Sequence, residues 1–548
     1  MEITNFKHAT YLGRNMNLRK LLERKVRQHG DKPFIIFVDK NMKEEILTYR
    51  QFDEKVNRFA NWLLSRGLKK GDFVLTHLPN SPGFLIAMHA CTKIGVAMIP
   101  SIVFDVAEDL EYKLNFSEAK MVITDGEYFP RFDSILDRCK SVKDLVICRS
   151  SQKIPGTHAL DDILASSSPE LAPVEIDPLD TAMMLFTSGT TARPKGVVLT
   201  HANFMYQGEI NTKTYALGPH DRTLVIMPLF HVNAQGISWF PALTAGASVV
   251  VCEEFNAGKF SHLARSYHCT FCSLVMTHLR MLLAEPEHPL DGECKIWRMA
   301  YSIAIPDALW DAFERRFNTT LLDLYGLTEV AGVNIVSPIW GEHRRGSPGM
   351  SIFGYETIIV DDDRKEVPVG QAGEITVKGE PGVNLFKEYY KNPAAAPELA
   401  DGLFYTGDFG KIDEDGYVYF LDRKKDVIHR AAELISAPEV ERVINEHPAV
   451  NECCVIAVPD PRTEEAAMAI VRLKEGRSAT QTELALFCQN KMAKFKIPEY
   501  WVIQEEEFPK TAKGTIQKVR IRSEIKKNWD TKKYQKLDKK VFKQNDKG

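Results

Sequence analysis

Two stretches of this chain carry residues suited to chemistry. Met183 to Asn203 reads MMLFTSGTTARPKGVVLTHAN. An apolar run gives way to Thr187, Ser188, Gly189, Thr190 and Thr191, then to Pro194, Lys195 and Gly196. Hydroxyls, glycine-freed backbone amides and one cation are what a polyphosphate needs around it. The Walker loop is excluded, because it needs Gly-Lys-Ser/Thr and this chain has Pro194-Lys195-Gly196. Pro194 also argues against a helix through this part of the loop. Taken alone, the loop reads equally well as a polar surface turn. Further on, LLDLYGLTEVAG sets Tyr325, Thr328 and Glu329 within five residues. Such a ring stacks on a purine, and a Thr–Glu pair can hold Mg2+ and a phosphate oxygen. Asp408, in YTGDFG, suits the two hydroxyls of a ribose, and Arg423 follows in FLDRKKD.

The elements that must position these residues alternate. Thr48 is placed to cap a helix whose Phe52, Val56, Phe59, Ala60 and Leu63 share one face, with Gly67 as its stop. A strand at Phe73-Val74-Leu75, a helix over GFLIAMHACTKIG and strands at VAMIP, VVVCEEF and CTFCSLVM continue the alternation. Helices between buried strands predict a mixed α/β fold of helix-covered parallel sheets. From about Gly370, short alternating strands with Gly and Asp-Gly turns predict a β-meander or barrel. After DRKKD the texture returns to mixed α and β, with a helix at SAPEVERVINEH and a strand at AVNECCVIAVPD. The expected organisation is a large N-terminal domain over 1–422, a hinge at 423–426, a small α+β domain over 427–522 and a lysine-rich extension over 523–548.

Bulk properties narrow the function. With 548 residues there is room for roughly three to four units of about 150 residues. A composition 44% hydrophobic and 26% charged is that of an ordinary globular protein. A net charge of -3 gives no field directed at nucleic acid. No long uncharged apolar segment suggests a membrane span, and the first residues do not read as a signal peptide. Ten scattered cysteines point to reduced thiols and a cytoplasmic setting. Cys269 and Cys272 have redox or metal spacing but sit in an apolar run with no second pair, so they read as buried small residues. Cys453 and Cys454, adjacent on a strand, should face opposite ways.

The ordered set LFTSGTTARPKGVVLTH, PLFH, YGLTE, YTGDFGKIDEDGYVYFLDRKKD and FPKTAKG resembles the acyl-adenylate-forming ligases over nearly the whole chain. Among their subgroups it looks most like the carnitine/crotonobetaine-CoA ligase type. The resemblance implies ATP-dependent activation of a carboxylic acid to acyl-AMP, then transfer to the thiol of CoA. It implies ATP, Mg2+ and CoA as cofactors, with an acyl carrier protein as an alternative acceptor. Residues 187–196 would close over the β- and γ-phosphates, and Tyr325 with Gly326 would meet adenine. Thr328 would bind phosphate and Glu329 would hold Mg2+. Asp408 and Arg423 would bind the ribose. His231, in MPLFHVN, would line the wall between acyl pocket and nucleotide, its plain alternative being a core histidine. Lys425 matches the hinge, and Met492 to Pro498 the segment near the pantetheine entrance.

Three departures from the family pattern stand out. The last motif's Gly-Lys reads Gly514-Thr515, with Lys510, Lys513 and Lys518 as neighbours. The glycine-rich turn after DVIHR reads Ala431-Ala432-Glu433, and the small-residue stretch near adenine reads Ser302-Ile303-Ala304-Ile305-Pro306. Three readings stay open: an active ligase in which Lys513 replaces the missing lysine as a catalytic group, an enzyme with impaired adenylation, and a nucleotide-binding homologue without turnover. The first is the expectation.

Overall fold

The computed structural model describes residues 16–150, 152–187, 194–302, 307–400, 402–423, 428–430, 433–460, 464–489, 491–492, 494–510 and 516–527. The chain divides into two compact units. One comprises Met1–Ile305, Leu309–Thr357 and Val377–Phe404, the other Pro306–Ala308, Ile358–Thr376 and Tyr405–Gly548.

The first unit rests on an eight-stranded and a nine-stranded sheet. In each, six neighbouring strands run parallel, and antiparallel strands finish one edge of the eight-stranded sheet and both edges of the nine-stranded one. Strands such as Ser248–Cys252 and Met121–Thr124 are buried at every residue, as helix-covered parallel strands must be. The covering helix Tyr49–Ser65 starts where the sequence places it. The Thr48 side chain accepts from the amide of Gln51, whose side chain in turn accepts from Thr48 N. Phe52, Val56, Phe59, Ala60 and Leu63 are all buried. The larger of these contribute roughly 1.5–3 kcal/mol each. The chain leaves the helix through Gly67 at φ 80°.

At one edge the eight-stranded sheet is not parallel. Thr181–Thr187 runs parallel to Ala97–Pro100, but the chain then folds straight back as Lys195–Thr200. Glu388–Tyr389 pairs antiparallel on the outer side of that strand. A loop this short can only join antiparallel neighbours, since a parallel return needs a crossover.

Glu356–Val360, Gly373–Lys378, Leu399–Ala400, Leu403–Ile412 and Val418–Arg423 form a five-stranded sheet that begins ahead of Gly370. It is a meander only in part, because Gly373–Lys378 neighbours Leu403–Ile412 while the strand between them in sequence, Glu388–Tyr389, joins the eight-stranded sheet. The last sheet pairs Val450–Asp460 antiparallel with Glu464–Leu473, and the latter parallel with Tyr500–Gln504. Against it lies Ala437–Asn445, capped by Ser436 with Pro438 in its first turn. Cys453 joins one apolar cluster and Cys454 the other, on opposite faces of their strand. All ten cysteines are buried free thiols. Cys269 and Cys272 pack in an apolar cluster with Phe260 and Leu279, and burial pushes both thiols up. Among the described residues no helix is long and apolar enough to cross a membrane.

Candidate active site

One buried helix, His201–Thr214, anchors three segments, one of them the turn after Glu329. Thr200 caps it, and its hydroxyl also donates to the carbonyl of Gly382 at 2.6 Å. Asn203, Gln207 and Asn211 then recur at four-residue spacing, so they line one face. Asn203 Nδ2 donates to the carbonyls of Val383 (3.0 Å) and Leu385 (2.7 Å). Gln207 Nε2 donates to those of Val330 (2.8 Å) and Val333 (3.1 Å), while its oxygen accepts from Val333 N at 3.2 Å. Asn211 Nδ2 donates to Gln207 Oε1 at 2.8 Å and to the carbonyl of Gly236 at 2.9 Å. Each turn of the helix thus holds one segment: 382–385, 330–333 and the π-helix Asn233–Trp239. Amides can do this in an apolar interior because their NH2 groups, and the oxygens of Asn203 and Gln207, find partners there.

The middle segment follows the strand Thr320–Tyr325. Gly326 is required by close approach, since a Cβ there would lie 2.1 Å from the carbonyl oxygen of Gly332. Thr328–Val330 form a single tight turn closed by Ala331 at φ 56°. The turn buries Glu329, whose carbonyl accepts from Phe386 N at 2.7 Å. Thr328 and Tyr325 are half-buried. The π-helix packs against the same turn, because a Cβ on Gly236 would sit 2.2 Å from the carbonyl oxygen of Ala331. His231, two residues before that π-helix, is half-buried beside Phe230, with ring centroids 4.6 Å apart. The fully buried His89 and His201 are core histidines, and His231 differs from them.

Thr187 stands directly across its hairpin from Lys195. Tyr389 pairs with Val197, two residues along the same strand face as Lys195. The Lys195 ammonium consequently lies over the Tyr389 ring, 4.6 Å from its centroid, and pairs with Glu398 Oε1 at 2.5 Å. The Tyr389 hydroxyl donates to Glu329 Oε1 at 2.9 Å. Burial first, then the charges of Glu329 and Glu398, holds this phenol protonated far above its ordinary range. The first unit therefore brings together Lys195 and Glu329, two residues singled out from sequence, through two that were not, Tyr389 and Glu398.

In the second unit Asp408 and Arg423 are direct cross-strand partners, which explains how fifteen positions of sequence bring them side by side. Asp408 is buried, and its amide donates to Thr406 Oγ1 at 3.0 Å. Two of the lysines near Thr515 are committed: Lys510 pairs with Glu452 at 2.7 Å and Lys518 with Glu441 at 2.9 Å. Ser188, Gly189, Thr190, Thr191, Ile303 to Pro306, Lys425, Ala431, Ala432, Lys513 and Thr515 lie outside the described residues, as does the end of the lysine-rich extension.

Residues 22–390 match the AMP-binding enzyme family and residues 439–515 the AMP-binding enzyme C-terminal domain. The chain is 33% identical over 513 residues to a crotonobetaine/carnitine–CoA ligase of Salmonella heidelberg (strain SL476), with 92% of this chain and 99% of the relative covered. Among solved structures it resembles ATP-bound MatB from Rhodopseudomonas palustris at 26% identity and TM-score 0.83, over 94% of this chain and all (100%) of that one. The anthranilate CoA ligase AuaEII in complex with anthranoyl-AMP shares the fold at 24% identity and TM-score 0.85, over 94% of this chain and 99% of that one.

Proposed function

The chain belongs to the AMP-binding enzyme family, and from that premise we propose how its residues divide the work of an acid–thiol ligase. The protein activates a carboxylic acid with ATP. A carboxylate oxygen attacks the α-phosphorus, the bond to the bridging oxygen of the β-phosphate breaks, and pyrophosphate leaves. The thiol sulfur of CoA then attacks the acyl carbon, its proton passes to solvent, and AMP leaves with the electron pair of the broken C–O bond.

The first step drives one anion onto another, so the protein must offset repulsion and developing charge. Lys195 is the described cation for this, and Thr187, Ser188, Gly189, Thr190 and Thr191 are proposed to wrap the β- and γ-phosphates. Tyr325 and Gly326 receive adenine, Thr328 a phosphate oxygen, and Asp408 with Arg423 the ribose hydroxyls. His231 separates acyl pocket from nucleotide. Glu329 would hold Mg2+, which when bound supplies positive charge to the phosphates. The donor set fits that ion. Glu329 brings one carboxylate, with the Tyr389 hydroxyl donating to its Oε1. Mg2+ takes one or two carboxylates and completes its shell with phosphates and water.

For the second step we propose rotation about residues 423–426, with Lys425 at the hinge and Met492 to Pro498 near the pantetheine. Such a hinge lets one site run two reactions in turn. The Salmonella relative acts, by its name, on crotonobetaine and carnitine, and a small to medium carboxylic acid is the substrate class proposed here. CoA is the acceptor, with a carrier-protein pantetheine as the alternative. The convergence of Lys195 and Glu329 on Tyr389 carries the nucleotide reading. Acid-dependent exchange of labelled pyrophosphate into ATP tests it, and no exchange with any acid would refute it. A second reading, impaired adenylation, is favoured by one observation: Thr515 brings no charge, and Lys510 and Lys518 are already paired. On the first reading, the active ligase, Lys513 is the lysine proposed to reach the α-phosphate.

A further inference from the structure

We infer that Tyr389 is a positioning residue for the ATP and metal site, orienting the metal carboxylate through its hydroxyl and the phosphate lysine through its ring. This rests on the reading of Glu329 and Lys195 given above. The two contacts leave one side chain in different directions. The hydroxyl donates to Glu329 Oε1 at 2.9 Å, and the ring face carries the Lys195 ammonium at 4.6 Å. Glu398 completes the arrangement, pairing with Lys195 at 2.5 Å and bearing with its charge on the same hydroxyl.

A phenol has one proton to give. Donation to Glu329 fixes that carboxylate's rotation, which a metal ligand needs before the metal arrives. The ring supplies the complementary service to a flexible lysine: a cation over an aromatic face loses freedom in advance. The Tyr389 backbone does not depend on either contact. Its short strand is held by pairing of Glu388 with Val198, by Lys387 N to the Val198 carbonyl at 2.9 Å and by Tyr390 N to the Gly196 carbonyl at 2.8 Å. The aromatic hydroxyl is therefore surplus to folding the strand, and its buried partner is the carboxylate proposed to hold Mg2+.

The two arms can be separated. Tyr389→Phe removes the hydroxyl and keeps the ring, whereas Tyr389→Leu removes both. ATP binding is measured by calorimetry on the full chain over a range of Mg2+, without any acid. For Tyr389→Phe the Mg2+ giving half-maximal binding should rise about tenfold, the scale of a lost hydrogen bond to a charged group. Its ATP affinity at saturating Mg2+ should stay within about twofold, because the ring remains under Lys195. For Tyr389→Leu the Mg2+ requirement should rise equally and ATP affinity should fall about fivefold as well. An unchanged Mg2+ requirement in Tyr389→Phe overturns the inference and leaves the proposed function standing. So does a loss that appears only as a smaller folded fraction, with both constants unmoved, since that is a packing role. A native protein that binds no ATP at any Mg2+ overturns the proposed function and the inference together.

Discussion

The Tyr389 hydroxyl donates to Oε1 of Glu329 at 2.9 Å, across sixty positions of sequence. A buried carboxylate is costly unless hydrogen-bonded, so this contact makes a charged Glu329 tenable inside the fold. Replacing the charge while keeping the shape separates its two tasks. Glu329→Gln should fold normally and lower ATP–pyrophosphate exchange by about 10²–10³-fold. Exchange at the native rate would remove Glu329 from the metal site.

Gln207 holds the Glu329 turn through the carbonyls of Val330 and Val333. Leucine at this position would leave the buried carbonyl and amide of Val333 without their partner, and the Val330 carbonyl with only the longer bond from the Tyr355 hydroxyl at 3.3 Å. At about 1–3 kcal/mol for each unsatisfied group, Gln207→Leu should lose on the order of 3 kcal/mol of stability in urea unfolding. The residual folded protein should also exchange pyrophosphate more slowly. Unaltered stability would show that the turn is held by its neighbours instead.

Stability should fall in acid for an identifiable reason. His89 is buried and accepts from Trp239 Nε1 at 3.0 Å, so it is neutral in the fold. Burial first, then the nearby Lys93, pushes it down to about 3, and burial with Arg131 and Lys113 does the same to His77. Both folded values lie below the unfolded value of 6.5. Below that pH the unfolded chain takes up protons that the folded chain refuses. The stabilisation is complete above about pH 6.5 and declines, by about 1.4 kcal/mol per pH unit for each histidine, as pH falls toward 3. Urea unfolding between pH 7 and 4 measures the slope. His89→Gln, which keeps an acceptor for Trp239, should make it shallower.

The altered last motif gives a paired prediction. Lys513→Ala should reduce acid-dependent pyrophosphate release by about 10²–10³-fold if this lysine serves the α-phosphate. Thr515→Lys should raise the native rate. A Lys513→Ala enzyme with full release would assign the role elsewhere, and no gain from Thr515→Lys would mean the site has been rebuilt around the threonine.

Much of the frame was legible because local rules governed it. Thr48 capped its helix and the Phe52–Leu63 stripe was buried, since both signals lie within one element. The alternation of Cys453 and Cys454 followed from strand geometry. That Thr328 and Glu329 lie together was legible because they share one turn. Tyr389 and Glu398 could not: their partners, Glu329 and Lys195, are distant in sequence and met only when Glu388–Tyr389 added to the sheet edge. FKEYY reads as one more short meander strand. Asn203, Gln207 and Asn211 were hidden for another reason. Their helix is buried on almost every side, so it shows no apolar stripe against which a polar line would stand out.

The most direct test is AMP formation by the native protein with ATP, Mg2+, CoA and a panel of small carboxylic acids. The account predicts an acid for which AMP appears only when ATP, acid and CoA are all present, with one acyl-CoA formed per AMP. AMP release indifferent to omission of the acid, or no AMP with any acid tried while ATP still binds, would contradict it.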